Sequence, residues 1–173
     1  MDNLEHLRFP IGKLVVPETY PMADIKSWIE NIRSLPQEIR AVANSLSEEQ
    51  LAKPYRPEGW TGKQVIHHVA DSHLNCLVRV KLALTEDNPT IKPYNEEKWA
   101  RLSDYEMPIS ISLDLIENTH AHLVYIFDRM TELDFHRMFT HPQYQYTRSI
   151  GYLCALYSWH GKHHTAHLKL LQG

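Results

Sequence analysis

The stretch WHGKHHTAH, residues 159–167, holds His160, His163, His164 and His167, out of twelve histidines in the chain. Neutral imidazole offers a lone pair that suits a transition-metal ion. On a helical wheel advancing about 100° per residue, His163, His164 and His167 all fall within roughly 60° of His160. Leu153, Leu156, Tyr157 and Leu171 share that arc, while Ser158, Lys162 and Lys169 lie on the far side. The histidines therefore interrupt a core-facing stripe. A single buried imidazole is usually satisfied by a carbonyl or a water. Four on one face point instead to a shared ion, because histidines at i and i+4 project the same way from a helix. Two such pairs compete, His160 with His164 and His163 with His167, and the wheel hardly separates them.

Two imidazoles on one helix make an incomplete site. The segment HHVADSH offers His67, His68 and His73, and a later helical stripe offers His120. Around HHVADSH the apolar stripe comprises Val65, Ile66, Val69, Cys76, Leu77, Val80 and Leu84. His73 lies near its middle and His67 nearly opposite. His68 lies to one side, in a polar row with Gln64, Ser72, Asn75 and Arg79 that suits the wall of a wet pocket. Periodicity leaves His73 and His68 both open as the further ligand.

Other groups carry secondary readings. Asp71, three residues after His68, is a candidate to orient an imidazole or act as a catalytic base, or is an ordinary solvated or capping carboxylate. His163 and His167 are hydrogen-bond donors behind the ligands or packing residues. His120 reads as a satisfied core histidine. Arg79 reads as an anchor for an anionic substrate, since guanidinium pairs with carboxylates in a fork, or as half of a surface ion pair. Tyr94 and Trp99 cover the pocket or pack the linker.

The elements that must position these groups are helices. Residues 1–20 read as extended and irregular, broken by Pro10 and Pro17 and followed by Pro21. Ile25, Trp28, Ile32, Leu35, Ile39, Val42 and Leu46 form one stripe over about 23–46, with a kink or break expected at Pro36. Ser47 to Gln50 (SEEQ) is a capping box for a short turn. Thr61 and Gln64 form another, opening a helix that runs to about Thr85 and stops before Asp87, Asn88 and Pro89. A short helix is expected near Glu96 to Leu102. A third long helix covers about 111–131, with Leu113, Ile116, His120, Leu123, Phe127 and Met130 on one face. Residues 137–148 read as a small hairpin or loop, and a fourth long helix spans about Ser149 to Leu171. The fold class expected is all-α: an antiparallel four-helix bundle with short extra helices and an irregular N-terminal segment, forming one domain over residues 1–173.

Composition narrows the partners. Apolar residues make up 43% and charged residues 23%, as in a globular protein. The formal net charge of −3 argues against nucleic acid, which usually demands a basic surface. No apolar run is long enough for a membrane span, and no signal peptide is visible, so a cytoplasmic location is expected. Cys76 and Cys154 lack C-x-x-C spacing and read as buried free thiols.

Several longer stretches carry a resemblance: FPIGKL near the start, PYRPEGWTGKQVIHHVADSHLN, KLALTEDNPTIKPYNEEKW, and LYSWHGKHHTAH near the end. Over nearly its whole length the chain resembles the DinB/YfiT-like family, labelled metal-dependent hydrolases and related to bacillithiol S-transferases. The resemblance implies a four-helix bundle of that type with one divalent metal held by three histidines. Carried over position by position, these are His68, His160 and His164. At Gly161 and Lys162 the chain departs from the family pattern, which has bulkier or more basic residues there.

Three neutral imidazoles suit zinc, with nickel an alternative, better than magnesium or calcium. They leave a coordination position open, as catalytic sites do. A water there loses a proton near neutral pH, and a thiol there binds as thiolate. The functional expectation is a metal-dependent hydrolase. The alternatives are a bacillithiol-type thiol S-transferase and a non-catalytic metal-binding protein. Expected partners are a small-molecule substrate, which in the second case includes a low-molecular-weight thiol, and a second copy of the chain as a homodimer.

Overall fold

The computed structural model describes residues 4–172. In chain order the elements are α1 (Glu5–Arg8), α2 (Met22–Asn44), α3 (Glu48–Leu51), α4 (Gly62–Thr85), α5 (Glu96–Trp99), α6 (Ile109–Phe127), α7 (Glu132–Phe135), β1 (Met138–His141), β2 (Tyr146–Ser149) and α8 (Ile150–Lys169). Short 3-10 turns lie at Ser103–Glu106 and Leu170–Gln172. Both expected capping boxes form: Ser47 with Gln50 starts α3, and Thr61 with Gln64 starts α4. Each satisfies two backbone N–H groups that a helix start leaves unpaired. The segment expected to be irregular contains one helical turn, α1. Residues 137–148 form a hairpin, with Thr140 opposite Thr147 and Gln145 at φ 53° in its turn.

The long helices α2, α4, α6 and α8 form a four-helix bundle. α2 packs on α6 and α8, and α4 also packs on α6 and α8, so α2 and α4 lie across a diagonal. Cross-helix pairs give the directions. Asn31 meets Ser158 and Gln172 meets Ser45, so α2 and α8 run parallel. His67 meets Ser112 and His73 meets His120, so α4 and α6 run parallel. Arg33 pairs with Asp128 and Arg40 with Asp114, making α2 and α6 antiparallel. Arg79 reaches Tyr157 while His68 reaches His160, making α4 and α8 antiparallel. The expectation of a wholly antiparallel bundle is thus corrected. Parallel neighbours need a connection that returns along the bundle, and the α4–α6 linker with α5 and the Ser103–Glu106 turn is that connection.

The core divides in two. At the end holding the C-termini of α2 and α8, one apolar cluster gathers Leu35, Ile39, Val65, Ile66, Ile116 and Leu168. Toward the other end, a second gathers Ile25, Ile32, Val80, Leu123, Phe127 and Leu153. His73, His120 and His164 fall between the residues of the two clusters along α4, α6 and α8. Gly161 explains the departure at that position: a Cβ there would run into the side chain of Leu35, so the glycine lets α8 lie close against α2.

Pro36 does not break α2, which runs through it. Proline has no N–H, so the carbonyl four residues earlier, that of Ile32, has no intrahelical donor. That carbonyl accepts instead from His120 Nδ1 on α6, at 2.5 Å.

Candidate metal centre

His68 enters from α4, and His160 and His164 enter one turn apart on α8. Their ligand atoms all lie within 4.8 Å of one another. His68 Nε2 and His160 Nε2 are 3.3 Å apart. Two nitrogens bound at about 2.0–2.1 Å to one tetrahedral ion would be separated by about 3.3 Å, so this pair already has the spacing of a coordination edge. Three neutral nitrogen donors, with no carboxylate in the group, fit a divalent transition metal.

Hydrogen bonds settle which nitrogen of each α8 histidine keeps its lone pair. A carbonyl only accepts, so His120 donates from Nδ1 to Ile32 and presents Nε2 as an acceptor. His73 Nδ1 donates to that Nε2 at 2.8 Å. His160 Nδ1 then donates to His73 Nε2 at 3.1 Å, leaving His160 Nε2 with a lone pair. A second chain acts on His164. His167 Nε2 donates to the Arg8 carbonyl at 3.2 Å, so its Nδ1 accepts from His164 Nδ1 at 3.3 Å. His164 is likewise left with its lone pair on Nε2.

All these rings are held neutral. Burial pushes His73, His160 and His164 well below the usual histidine range, with neighbouring histidines adding to the effect. Burial also lowers His68 to about 4, helped by His167. A neutral imidazole is the form that coordinates a metal.

The remaining histidines divide by position. His73, open as a ligand on periodicity, lies behind His160 rather than among the closest group. His67 faces away, toward Ser112 Oγ at 2.7 Å and the Tyr105 ring. His163 stacks on Trp159 and, with His164 and His167, forms a second group whose ligand atoms lie within 4.8 Å. All three come from one helix, and the Arg8–His167–His164 chain already uses Nδ1 of His164 and both nitrogens of His167. The first group, drawn from two helices, opens on a cavity of about 390 Å3.

That cavity is walled by Trp60, Ser72, Arg79, Tyr94, Tyr152 and Tyr157, among others. The Trp60 ring lies 4.5 Å from that of His68. The linker and hairpin close one side: Thr140 N donates to Pro89 O at 2.9 Å and Ile91 N to Thr140 O at 3.0 Å, which sets His141 at the cavity. Asp71 is not on this wall. It accepts from the Tyr105 hydroxyl at 2.7 Å, and its carboxyl is raised by burial, an effect the tyrosine partly offsets. Trp99 packs on Tyr94, at 4.4 Å between rings. Glu96, at the start of α5, does line the cavity, and among the described residues it is the one carboxylate that does. The sequence reading missed it. Its signal was faint, an acidic residue next to the Asn95 cap of a four-residue helix. Arg79, with surface pairing as its plainer reading, is buried and forms no ion pair among the described residues.

No helix of the structure is long and apolar enough to cross a membrane. Residues 31–168 match the model of the DinB superfamily. A Halalkalibacterium halodurans protein named "Putative metal-dependent hydrolase" is 44% identical over 98% of this chain and 96% of its own length. A Bacillus mycoides protein of the same designation is 43% identical over 98% of this chain and 97% of its own. The solved structure of YfiT from Bacillus subtilis, described as "a probable metal-dependent hydrolase with an unusual four-helix bundle topology", superposes with a TM-score of 0.93 at 35% identity, covering 96% of each chain. A match across most of the chain, relatives covered nearly end to end, and a solved structure that superposes over almost the whole chain together place this protein in the DinB superfamily.

Proposed function

We propose that the protein is a metal-dependent hydrolase in which His68, His160 and His164 hold one divalent ion, Zn2+ or Ni2+. The observation that carries this reading is the 3.3 Å approach of His68 Nε2 to His160 Nε2 at the wall of the 390 Å3 cavity. When bound, such an ion acidifies water and polarises a carbonyl oxygen. His73 and His167 fix the tautomers of His160 and His164, and the carbonyls of Ile32 and Arg8 anchor the two chains. Trp60 and the tyrosines exclude bulk water and give the substrate an aromatic wall. Glu96 takes the proton of the attacking water and returns it to the leaving group. Water is consumed, and an acid and an alcohol or amine are released. Elemental analysis of the purified protein, with assays on ester and amide panels before and after chelation, tests the reading. Metal near one equivalent and chelator-sensitive turnover are expected. Protein that takes up no metal would refute it.

A second reading, transfer of a low-molecular-weight thiol to an electrophile, is favoured by the position of Asp71. The acidic residue nearest His68 in sequence is engaged with Tyr105, whereas a thiol that binds as thiolate needs no strong base. The thiol would come from outside, because Cys76 and Cys154 are buried and burial pushes both thiols up. Thiol-dependent consumption of an electrophile, with no ester or amide turnover, would favour this reading over hydrolysis.

A further inference from the structure

Arg79 is only 9% exposed, yet none of the salt bridges among the described residues includes it. Its Nη1 donates to the Tyr157 hydroxyl at 3.3 Å, a neutral partner, and its Nε is buried without a hydrogen-bond partner. A guanidinium keeps its charge, and a buried charge without a counter-ion is strongly disfavoured. On the same cavity wall, His141 is 4% exposed and its Nδ1 also lacks a partner. The two residues come from separate elements, α4 and β1, and both line this one cavity. Tyr94, Tyr146 and Tyr152 line it too and bring hydroxyl groups. The one carboxylate on the wall, Glu96, belongs to the metal end: with Trp60 and His164 it also borders the neighbouring cavity, which Arg79 does not touch.

We propose that Arg79 and His141 form an anion subsite that holds a carboxylate or phosphate group of the substrate beside the reacting centre. Tyr157 sets the distance. Its hydroxyl touches Arg79, and its ring centroid lies 5.7 Å from that of His160. The anionic group therefore sits about one tyrosine ring away from the metal end, and the substrate is a small anionic molecule rather than a neutral ester or a polymer. This rests on the metal-centre reading for the identity of the reacting end, but the subsite itself needs no metal.

The test uses metal-free protein and calorimetric titration with butanoate, butyl phosphate and neutral butan-1-ol. One of the anions should bind about 10- to 100-fold more tightly than the alcohol, the range expected of charge-assisted hydrogen bonds. Whichever anion binds more tightly identifies the head group. Arg79→Met should abolish the preference, Arg79→Lys should keep part of it, and His141→Phe should reduce it. Arg79→Met should also unfold at a higher temperature than wild type without ligand, because it removes an uncompensated buried charge. If Arg79→Met does not fold, the preference in Arg79→Lys and His141→Phe decides: both unchanged from wild type would overturn the proposal. Equal binding of anion and alcohol to wild type would also overturn it. So would a preference that survives Arg79→Met but vanishes in His68→Ala, which would put the anion on the histidines. Failure of the protein to bind either Zn2+ or Ni2+ would refute the metal-centre reading and leave these results standing.

Discussion

The Ile32 carbonyl accepts the Nδ1 hydrogen of His120 from the neighbouring helix, and it is free to do so because Pro36 lacks the N–H that would otherwise claim it. A proline in the middle of α2 thus anchors a line of imidazoles, His120 to His73 to His160, that ends at the proposed metal position. The histidine layer is costly to bury, yet His120 and His73 have a partner for each nitrogen and His160 has one for Nδ1.

The line makes a prediction about metal affinity. His68→Ala, His160→Ala and His164→Ala should each purify nearly metal-free with helicity intact. His73→Phe and His167→Phe should still bind, about 10- to 100-fold more weakly, the usual penalty for losing a partner behind a ligand. His73→Gln keeps an acceptor for His160 Nδ1 and should recover much of the affinity. In the metal-free wild type, nitrogen NMR should find His160 and His164 protonated on Nδ1. Finding the proton on Nε2 of His160 would break the chain of reasoning at its last step.

Acid should destabilise the metal-free protein through His120. Burial lowers this histidine from 6.5 to about 4, against the raising effect of its bond to Ile32, and His73 is the titratable ring stacked on it. Between those values the unfolded chain binds a proton that the folded chain does not, so stability rises with pH across the window. The contribution is complete above 6.5 and is lost as pH falls toward 4. Wild type should lose about 2–3 kcal/mol more than His120→Asn between pH 7 and pH 4.5. Denaturant titrations at both pH values check this, and equal losses would contradict it.

Gly161→Ala should destabilise the fold. An added methyl meets the Leu35 side chain where α8 crosses α2. Overpacking of this kind costs about 1–3 kcal/mol, partly offset by the roughly 1 kcal/mol that alanine gains over glycine in a helix. A shift in denaturation midpoint measures it. A variant as stable as wild type or more so would mean that Leu35 moves aside freely.

If Glu96 handles the proton in hydrolysis, Glu96→Gln should lower turnover about 10²- to 10⁴-fold with metal content unchanged. Parallel assays and elemental analysis separate this from loss of the ion. Full activity in Glu96→Gln would remove it from the mechanism.

Much of the fold was legible in the residues. The stripe from Ile25 to Leu46 and the Thr61–Gln64 box located α2 and α4 to within a few residues, because helix periodicity and capping are local properties of the chain. The crowding of His160, His163, His164 and His167 on one arc marked the candidate site for the same reason. Tertiary structure decided what a wheel cannot express. A wheel measures angle about a helix's own axis, not which neighbour lies on that side or in which direction it runs. The parallel pairing of α4 with α6 set His120 behind His73, and the antiparallel pairing of α4 with α8 set His68 across from His160 and His164. Arg79, polar on the wheel, is buried because the hairpin and the α4–α6 linker fold over its row. That closure depends on backbone hydrogen bonds such as Ile91 to Thr140, between segments remote in sequence, which no local pattern encodes.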